Sequence, residues 1–248
     1  MDFVLPLVFV PGLAIGSFLG VVASRVPLRR SVVRPGSACM SCEAPIAWYD
    51  NVPVLSYALL RGRCRRCGVR IPPRDLAIEL ATALLLVGCV LAFGLSLHAV
   101  AAGIGCAALV VATATDLERR IVPNWVVLPA AVAVLALQTV SHPSPVWAIG
   151  AAGAAGFFFL AALAHPGGMG MGDVKLALLI GAMLGRTTPV GVMLGLLLGL
   201  VPSIVLFARH GVAARKHKIP FAPFLAAGGV IALFVGAPIL HAYLGIMK

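Results

Sequence analysis

Acidic residues are scarce in the apolar part of this chain, and two of them stand where they could act together. Between Leu76 and the C-terminus there are only Glu79, Asp116, Glu118 and Asp173. Asp116 closes one apolar stretch and Asp173 opens another, so helices of opposite direction would place both carboxylates on one side at similar depth. Two neighbouring carboxylates share one proton. One can then act as general base on a water, while the other polarises a peptide carbonyl and protonates the leaving amine.

Two glycines precede the second aspartate, in the order Gly170, Met171, Gly172, Asp173. Glycine allows unusual backbone conformations and lets an extended substrate approach closely. The pattern Gly-x-Gly-Asp, combined with Asp116 at matching depth, predicts an aspartic protease that needs no covalent intermediate. Asp116 and Asp173 are its expected catalytic residues.

Simpler interpretations of these acidic residues stay open at the level of sequence. Asp173 could be an ordinary helix N-cap. Asp116 is expected at a helix C-terminus, where a negative charge is unfavourable, and Arg119 or Arg120 could compensate it in an ion pair. Glu79 falls in the first turn of the second predicted helix, where a negative charge is favourable.

Two functions from other classes also compete with proteolysis. A proton-coupled transporter could use Asp116 and Asp173 as relay groups, although transport sites lie near the bilayer midplane and these residues fall at span ends. A non-catalytic assembly scaffold is the third alternative, in which a polar insertion docks partner proteins.

The polar insertion, residues 25–75, contains four regularly spaced cysteines. They form two Cys-x-x-Cys pairs separated by 21 residues, Cys39 with Cys42 and Cys64 with Cys67. Such pairs present four thiolates to one tetrahedral Zn²⁺. Disulfides are the alternative, but the insertion is expected to face a reducing compartment. Because sulfur would fill all four positions, the predicted zinc is structural.

The elements that position these residues are membrane helices. Of the 248 residues, 61% are hydrophobic and only 11% are charged, and the mean hydropathy is +1.05, which excludes a soluble enzyme. Long charge-free windows, divided at Gly- and Pro-containing breaks, predict an all-α polytopic membrane protein with about eight transmembrane helices. They are expected at 4–24, 76–94, 97–116, 124–141, 146–165, 174–186, 188–208 and 222–246.

The net charge of +11 also has a topological meaning. With eight alternating spans, 17 of the 19 basic residues fall on one face, in segments 25–75, 117–123, 166–175 and 209–220. The positive-inside rule makes that face cytoplasmic. Because topology accounts for the basic excess, no nucleic-acid partner is expected. The predicted domains are the first helix (1–24), the zinc insertion (25–75) and a seven-helix membrane peptidase domain (76–248).

These residues resemble the type IV prepilin leader peptidases, a family of membrane aspartic proteases with a Gly-x-Gly-Asp motif. The resemblance covers nearly the whole chain and rests on several motifs in the family's order. They are both cysteine pairs and the segments 16–19 (Gly-Ser-Phe-Leu), 48–57 (Trp-Tyr-Asp-Asn-Val-Pro-Val-Leu-Ser-Tyr), 61–68 (Arg-Gly-Arg-Cys-Arg-Arg-Cys-Gly), 79–80, 116–124, 170–176 and 220–229.

The resemblance implies that Asp116 and Asp173 cleave the leader of type IV prepilins or type II secretion pseudopilins, at the cytoplasmic face of the bacterial inner membrane. It also implies N-methylation of the new N-terminal residue with S-adenosylmethionine. Family members without the cysteine pairs exist, so zinc is not expected to be needed for proteolysis. No glycine-rich fingerprint marks a site for the methyl donor. Gly62, Trp48 and Asp50 are the candidates, because segment 48–57 is either an interfacial turn or a binding surface.

Overall fold

The computed structural model describes residues 4–34, 36–164, 169–211 and 219–246. Those residues form nine α-helices and a few 3-10 turns, and their only β pairing is two isolated bridges in the insertion. The helices are α1 (Val4–Arg25), α2 (Leu55–Leu59), α3 (Pro73–Phe93), α4 (Leu97–Arg119), α5 (Asn124–Ser141), α6 (Val146–Ala164), α7 (Met171–Leu184), α8 (Thr188–His210) and α9 (Ala222–Ile246).

The all-helical prediction is confirmed, and each of the eight predicted helices is present. Three boundaries differ in ways that matter for the acidic residues. Helix α3 begins at Pro73, because proline is well suited to a first helical turn; α4 continues to Arg119, and α7 begins at Met171. Three of the basic residues predicted for the cytoplasmic face, Arg215, Lys216 and Lys218, lie outside the described residues.

Within the part of the chain that the structure describes, seven segments are long and apolar enough to cross a membrane. The number is seven because one segment, Met171–Arg209, contains both α7 and α8, joined by the 3-10 turn Gly185–Thr187. Helix α7 has 14 residues, which gives a length of about 21 Å at 1.5 Å per residue. It is therefore shorter than the roughly 30 Å hydrocarbon core of a bilayer.

The chain divides into two compact units, Met1–Leu91 and Ala92–Lys248. In the first unit α1 packs closely on α3 through glycines spaced four residues apart. A Cβ atom at Gly12 would lie 2.9 Å from the Cα of Ala83, and one at Gly16 would lie 2.6 Å from the Cα of Glu79. Small residues at such spacing let membrane helices approach until their backbones touch.

In the second unit α7 is the central helix. It contacts α4, α5, α6, α8 and α9, and from Val174 onward all of its residues except Lys175 and Leu178 are buried. Its crossing with α6 is close, because a Cβ at Gly150 would lie 2.8 Å from the carbonyl oxygen of Gly181. A helix that is apolar on every side is expected in such an interior position. Helix α7 thus places its N-terminal Asp173 at a defined point on one end of the unit.

Candidate active site

Asp116 lies in the last turn of α4 and its carboxylate is held by another helix. The residue is only 7% exposed, and its Oδ2 accepts a hydrogen bond from the backbone N–H of Ala222 at 3.0 Å. Ala222 is the first residue of α9, so the carboxylate faces the positive end of that helix. This partner offsets the unfavourable position of a negative charge at the C-terminal end of α4.

An ion pair is therefore not what stabilises Asp116. Within the described part of the chain, no salt bridge joins it to Arg119 or Arg120. Arg120 instead ends α4 in the left-handed conformation (φ 55°) and donates its backbone N–H to the Asp116 carbonyl at 2.9 Å. Its positive charge still acts on the Asp116 carboxylate at longer range.

Asp173 is the third residue of α7, inside its first turn. The N-cap is Gly170, whose carbonyl accepts the Asp173 N–H at 3.1 Å. The N-cap interpretation of Asp173 is therefore wrong, because the helix starts three residues earlier than its apolar pattern suggests. The C-terminal turn of α4 and the N-terminal turn of α7 meet at one end of the second unit. Asp116 and Asp173 are near enough there for their carboxylates to repel each other.

Two contacts fix the first turn of α7 against the chain that follows α4. A Cβ at Gly172 would lie 3.0 Å from the Cβ and Cγ2 of Val122, so glycine allows the helix to start directly against this turn. One helical turn further, the Lys175 ammonium donates to the side-chain oxygen of Asn124 at 2.7 Å. The second glycine of the Gly-x-Gly-Asp motif thus sets the position of Asp173 relative to α4.

The arrangement can carry out acid–base chemistry on a peptide bond. Carboxylates that repel each other across a short distance bind one proton between them. The pair then offers one basic and one acidic oxygen at once, which hydrolysis by an activated water requires. At Gly170 a Cβ would meet only Asp173 Oδ2 and the Gly172 nitrogen, both at 3.8 Å, so the backbone there is open to an extended peptide.

The four cysteines of the insertion come together as predicted. Their sulfur atoms all lie within 4.8 Å of one another, and the Sγ atoms of Cys39 and Cys67 are 3.7 Å apart. A tetrahedron with Zn–S bonds of about 2.3 Å has sulfur–sulfur edges of about 3.8 Å. No disulfide joins any of the six cysteines, all of which lie in the described residues, so the structure contradicts the disulfide alternative, and the donor set fits a metal ion.

The two cysteine pairs share one local conformation. The carbonyl of Cys39 accepts the N–H of Glu43 at 3.0 Å, and the carbonyl of Cys64 accepts the N–H of Gly68 at 3.0 Å. In each pair the residue after the second cysteine has a positive φ, 55° at Glu43 and 70° at Gly68. The left-handed residue turns the chain so that both sulfurs of a pair point the same way.

This conformation also favours the thiolate form of the first cysteine in each pair. Backbone amides of Cys42 and then Ser41 point at the sulfur of Cys39 and lower its pKa to about 6. The equivalent amides of the second pair, led by that of Cys67, lower the pKa of the Cys64 thiol. Thiolates are the form of cysteine that binds metals.

The residues singled out for the methyl donor have structural contacts of their own. Asp50 accepts two hydrogen bonds from Arg65, at 2.8 and 2.7 Å, and this guanidinium lowers the pKa of the Asp50 carboxyl. Gly62 has φ +65°, and a Cβ there would lie 2.9 Å from the ring of Tyr57. Trp48 begins the 3-10 turn Trp48–Asn51. Their role in binding the donor stays a prediction.

Glu79 has a partner that its sequence neighbourhood does not indicate. Because α3 begins at Pro73, Glu79 lies in the second helical turn, so the expected first-turn dipole interaction is wrong. Its Oε2 accepts the backbone N–H of Val54 at 2.8 Å, and its carboxylate also interacts with the side chain of Ser17. Glu79 therefore connects α1, α3 and the insertion.

Comparison with known proteins agrees with this geometry. Residues 10–93 match the model of the bacterial peptidase A24 N-terminal domain, and residues 103–207, which include both aspartates, match that of the type IV leader peptidase family. The chain belongs to the type IV leader peptidase family. Its relatives in that family include three proteins named prepilin leader peptidase/N-methyltransferase.

The relative from Bacillus subtilis (strain 168) is 33% identical over 97% of this chain and 98% of its own length. The relative from Burkholderia pseudomallei (strain 1026b) is 35% identical over 92% of this chain and 84% of its own. The relative from Myxococcus xanthus (strain DK1622) is 37% identical over 85% of this chain and 65% of its own. No solved structure matches the chain. Family membership, together with seven apolar spans, makes it a multi-pass membrane protein.

Proposed function

We propose that the protein is a membrane aspartic endopeptidase that removes the leader of type IV prepilins or type II secretion pseudopilins, and that it then N-methylates the new N-terminal residue. The first activity is supported by the positions of Asp116, in the last turn of α4, and Asp173, in the first turn of α7, where the charges of their carboxylates interact. The relatives' shared name, prepilin leader peptidase/N-methyltransferase, supports both activities. Family membership favours this function over a proton-coupled transporter.

In the proposed reaction, Asp116 is the general base and Asp173 carries the shared proton. Asp116 suits the charged role because it accepts the Ala222 N–H at the positive end of α9. It removes a proton from water as the oxygen attacks the scissile carbonyl carbon, and Asp173 donates its proton to the carbonyl oxygen. The C–N bond then breaks, and the proton on Asp116 passes to the leaving amine. As the new carboxylic acid forms, one hydroxyl proton of the tetrahedral intermediate returns to Asp173, so both aspartates regain their starting charges.

The reaction is proposed for the cytoplasmic face of the bacterial inner membrane. The positive-inside rule assigns the basic insertion and the residues around both aspartates to that face. A leader with basic residues would remain in the cytoplasm, while the apolar segment that follows it would enter from the bilayer. The scissile bond then lies where the aspartates stand, at the ends of their helices.

The insertion is proposed to hold one structural Zn²⁺ through Cys39, Cys42, Cys64 and Cys67. When bound, the metal would supply cross-linking of two chain segments, because four sulfur ligands leave no coordination position for a reactive water. Such a link stabilises a small insertion with little apolar core. We retain as part of the proposal the division into a first helix (1–24), a zinc insertion (25–75) and a peptidase domain (76–248).

The second activity follows the first chemically. Cleavage leaves a free α-amine, and S-adenosylmethionine supplies an electrophilic methyl group to such an amine when it is bound. The relatives' shared name and the presence of the cysteine insertion support this activity for the chain.

Asparagine substitutions test the dyad. Purified Asp116→Asn and Asp173→Asn proteins should each cut a prepilin at least ~100-fold more slowly than the wild type, because each loses an acid–base group. Both should retain zinc, which shows that the insertion is folded. Glu118→Gln is the matched control, since Glu118 is an exposed carboxylate two residues from Asp116, and it should cut normally. Full activity in either asparagine variant would disprove the proposed dyad.

A further inference from the structure

The first unit contains an elongated cavity of about 330 Å³ between α1 and the insertion. Its lining extends along α1 from Ala14 to Arg25, which is about 16 Å along a helix axis. Asn51 and Pro53 of the insertion line its other side. This volume falls in the range of roughly 300–1,000 Å³ that small-molecule sites occupy.

The cavity has an apolar end and a polar end. Ala14 and Phe18 line the part deeper along α1, whereas Arg25 and Asn51 line the part next to the insertion. The Arg25 guanidinium is fixed, because it donates to the carbonyls of Ser31 at 3.1 Å and Gly36 at 3.2 Å. A ligand with an aromatic base at one end and a carboxylate at the other would match this distribution.

A carboxylate stands beside the middle of the cavity. Ser17 lines the cavity, and its side chain interacts with the carboxylate of Glu79. Glu79 also accepts the N–H of Val54, next to the lining residue Pro53. A negative charge in this half-buried position favours a ligand with a positive charge between its two ends.

The backbone beside the cavity is strained. Val54 has φ 60° and ψ −49°, a conformation that is a genuine outlier for a β-branched residue. Strain of this kind persists where surrounding contacts impose it and is concentrated at ligand and active sites. The N–H of this strained residue is the one that Glu79 accepts, so the strain lies at the contact between α3 and the insertion.

We infer that this cavity binds S-adenosylmethionine, with Glu79 beside the sulfonium and Arg25 beside the amino-acid carboxylate. The inference rests on the proposed methyltransferase activity and gives it a location. In the transfer, the lone pair of the pilin α-amine forms the N–C bond to the methyl carbon while the C–S bond breaks. That electron pair stays on sulfur and yields S-adenosylhomocysteine, and the methylated ammonium then releases one proton.

A second cavity in this unit fits the methyl donor less well. It measures about 420 Å³, and Arg61, Arg63 and Arg70 line it together with Gly62. S-adenosylmethionine carries a net positive charge at neutral pH, so three arginines repel it. The cavity beside Glu79 is therefore the better site on electrostatic grounds.

Binding is tested with two variants and a matched control, by isothermal titration of purified, zinc-loaded protein with S-adenosylmethionine. Ala14→Phe adds a ring to the cavity wall. Ile15→Phe, the control, makes a similar change one residue away at an exposed position outside the cavity. Glu79→Gln removes the charge but keeps an oxygen for the Val54 N–H. We expect each variant to weaken binding at least tenfold. Ala14→Phe would do so because its ring occupies part of the cavity, and Glu79→Gln because it removes a charged partner of the ligand. The Ile15→Phe control should bind like the wild type.

Prepilin cleavage and zinc content are measured on the same samples and should be unchanged in all three variants, which shows that each is folded. If the wild type binds the donor and methylates cleaved pilin but Ala14→Phe and Glu79→Gln bind equally well, the site is refuted while the proposed function stands. If the wild type neither binds the donor nor methylates, the methyltransferase activity fails and the site with it.

Discussion

The hydrogen bond from Ala222 to Asp116 can be removed without altering a side chain of the dyad. Proline at position 222 has no N–H, and proline is well tolerated as the first residue of a helix. Helix α9 does not use this N–H internally, because its first turn begins with the Phe221 carbonyl accepting the amides of Phe224 and Leu225 at 3.1 and 3.2 Å. Ala222→Pro should therefore leave α9 intact and deprive Asp116 of its partner.

The expected loss follows from the kind of bond. A hydrogen bond to a charged group contributes about 1.5–3 kcal/mol, and each 1.36 kcal/mol in a barrier is a factor of about ten. Because this bond keeps the Asp116 carboxylate charged and in position during catalysis, Ala222→Pro should lower kcat/KM for prepilin cleavage by about 10- to 150-fold. The ring carbon that replaces the amide hydrogen also pushes the carboxylate away, which lowers kcat/KM further.

The assay is cleavage of a purified prepilin in detergent, with product mass as the readout. Ala222→Gly is the matched control, because it keeps the N–H and loses only one buried methyl group, and it should cleave within a few-fold of the wild type. Unfolding temperature and zinc content are followed for both variants. Wild-type kcat/KM in a folded Ala222→Pro protein would refute the view that this amide positions the base.

Two further predictions concern the helix crossing and the metal. A methyl group at Gly181 would overlap the Gly150 backbone, so Gly181→Ala should destabilise the protein by about 1–3 kcal/mol in thermal unfolding. The control is Gly153→Ala, on α6 where a Cβ meets nothing within 4 Å, and it should be neutral or stabilising by up to about 1 kcal/mol. If Gly181→Ala and Gly153→Ala change the stability equally, the crossing of α6 and α7 is not tightly packed. Cys39→Ser should contain far less than one zinc per chain, whereas Cys106→Ala should retain it, and zinc loss from both would contradict the assignment of the ligands.

Much of the fold follows from local patterns in the sequence. Charge-free windows predicted each long helix, because excluding charge from a 20-residue stretch is what a bilayer requires. The spacing within each cysteine pair predicted the sulfur cluster, because two ligands three residues apart need only a local turn to converge. Counting spans also predicted that Asp116 and Asp173 lie at similar depth on one side of the membrane, and this stays a prediction.

The partners of the acidic residues could not be predicted in this way. Asp116 accepts the amide of a residue 106 positions further along the chain, and any helix N-terminus offers similar amides. Glu79 is joined to Val54 across 25 residues, through a strained turn that β-branched residues rarely form. Such contacts depend on how whole helices pack, which short sequence patterns do not specify. The start of α7 at Met171 could not be predicted for the same reason. Gly172 is a poor helix former, and its place in the first turn depends on close packing against Val122.

The length of α7 has a consequence for the access of water to Asp173. Fourteen residues leave the helix about 9 Å short of a typical hydrocarbon core, and the helices that pack around it, α4, α5, α6, α8 and α9, accommodate the difference. A short helix among longer ones leaves space beyond its end, because its neighbours continue past it. Asp173 stands in the first turn of α7, so we expect water to reach the carboxylate from the membrane surface through this space.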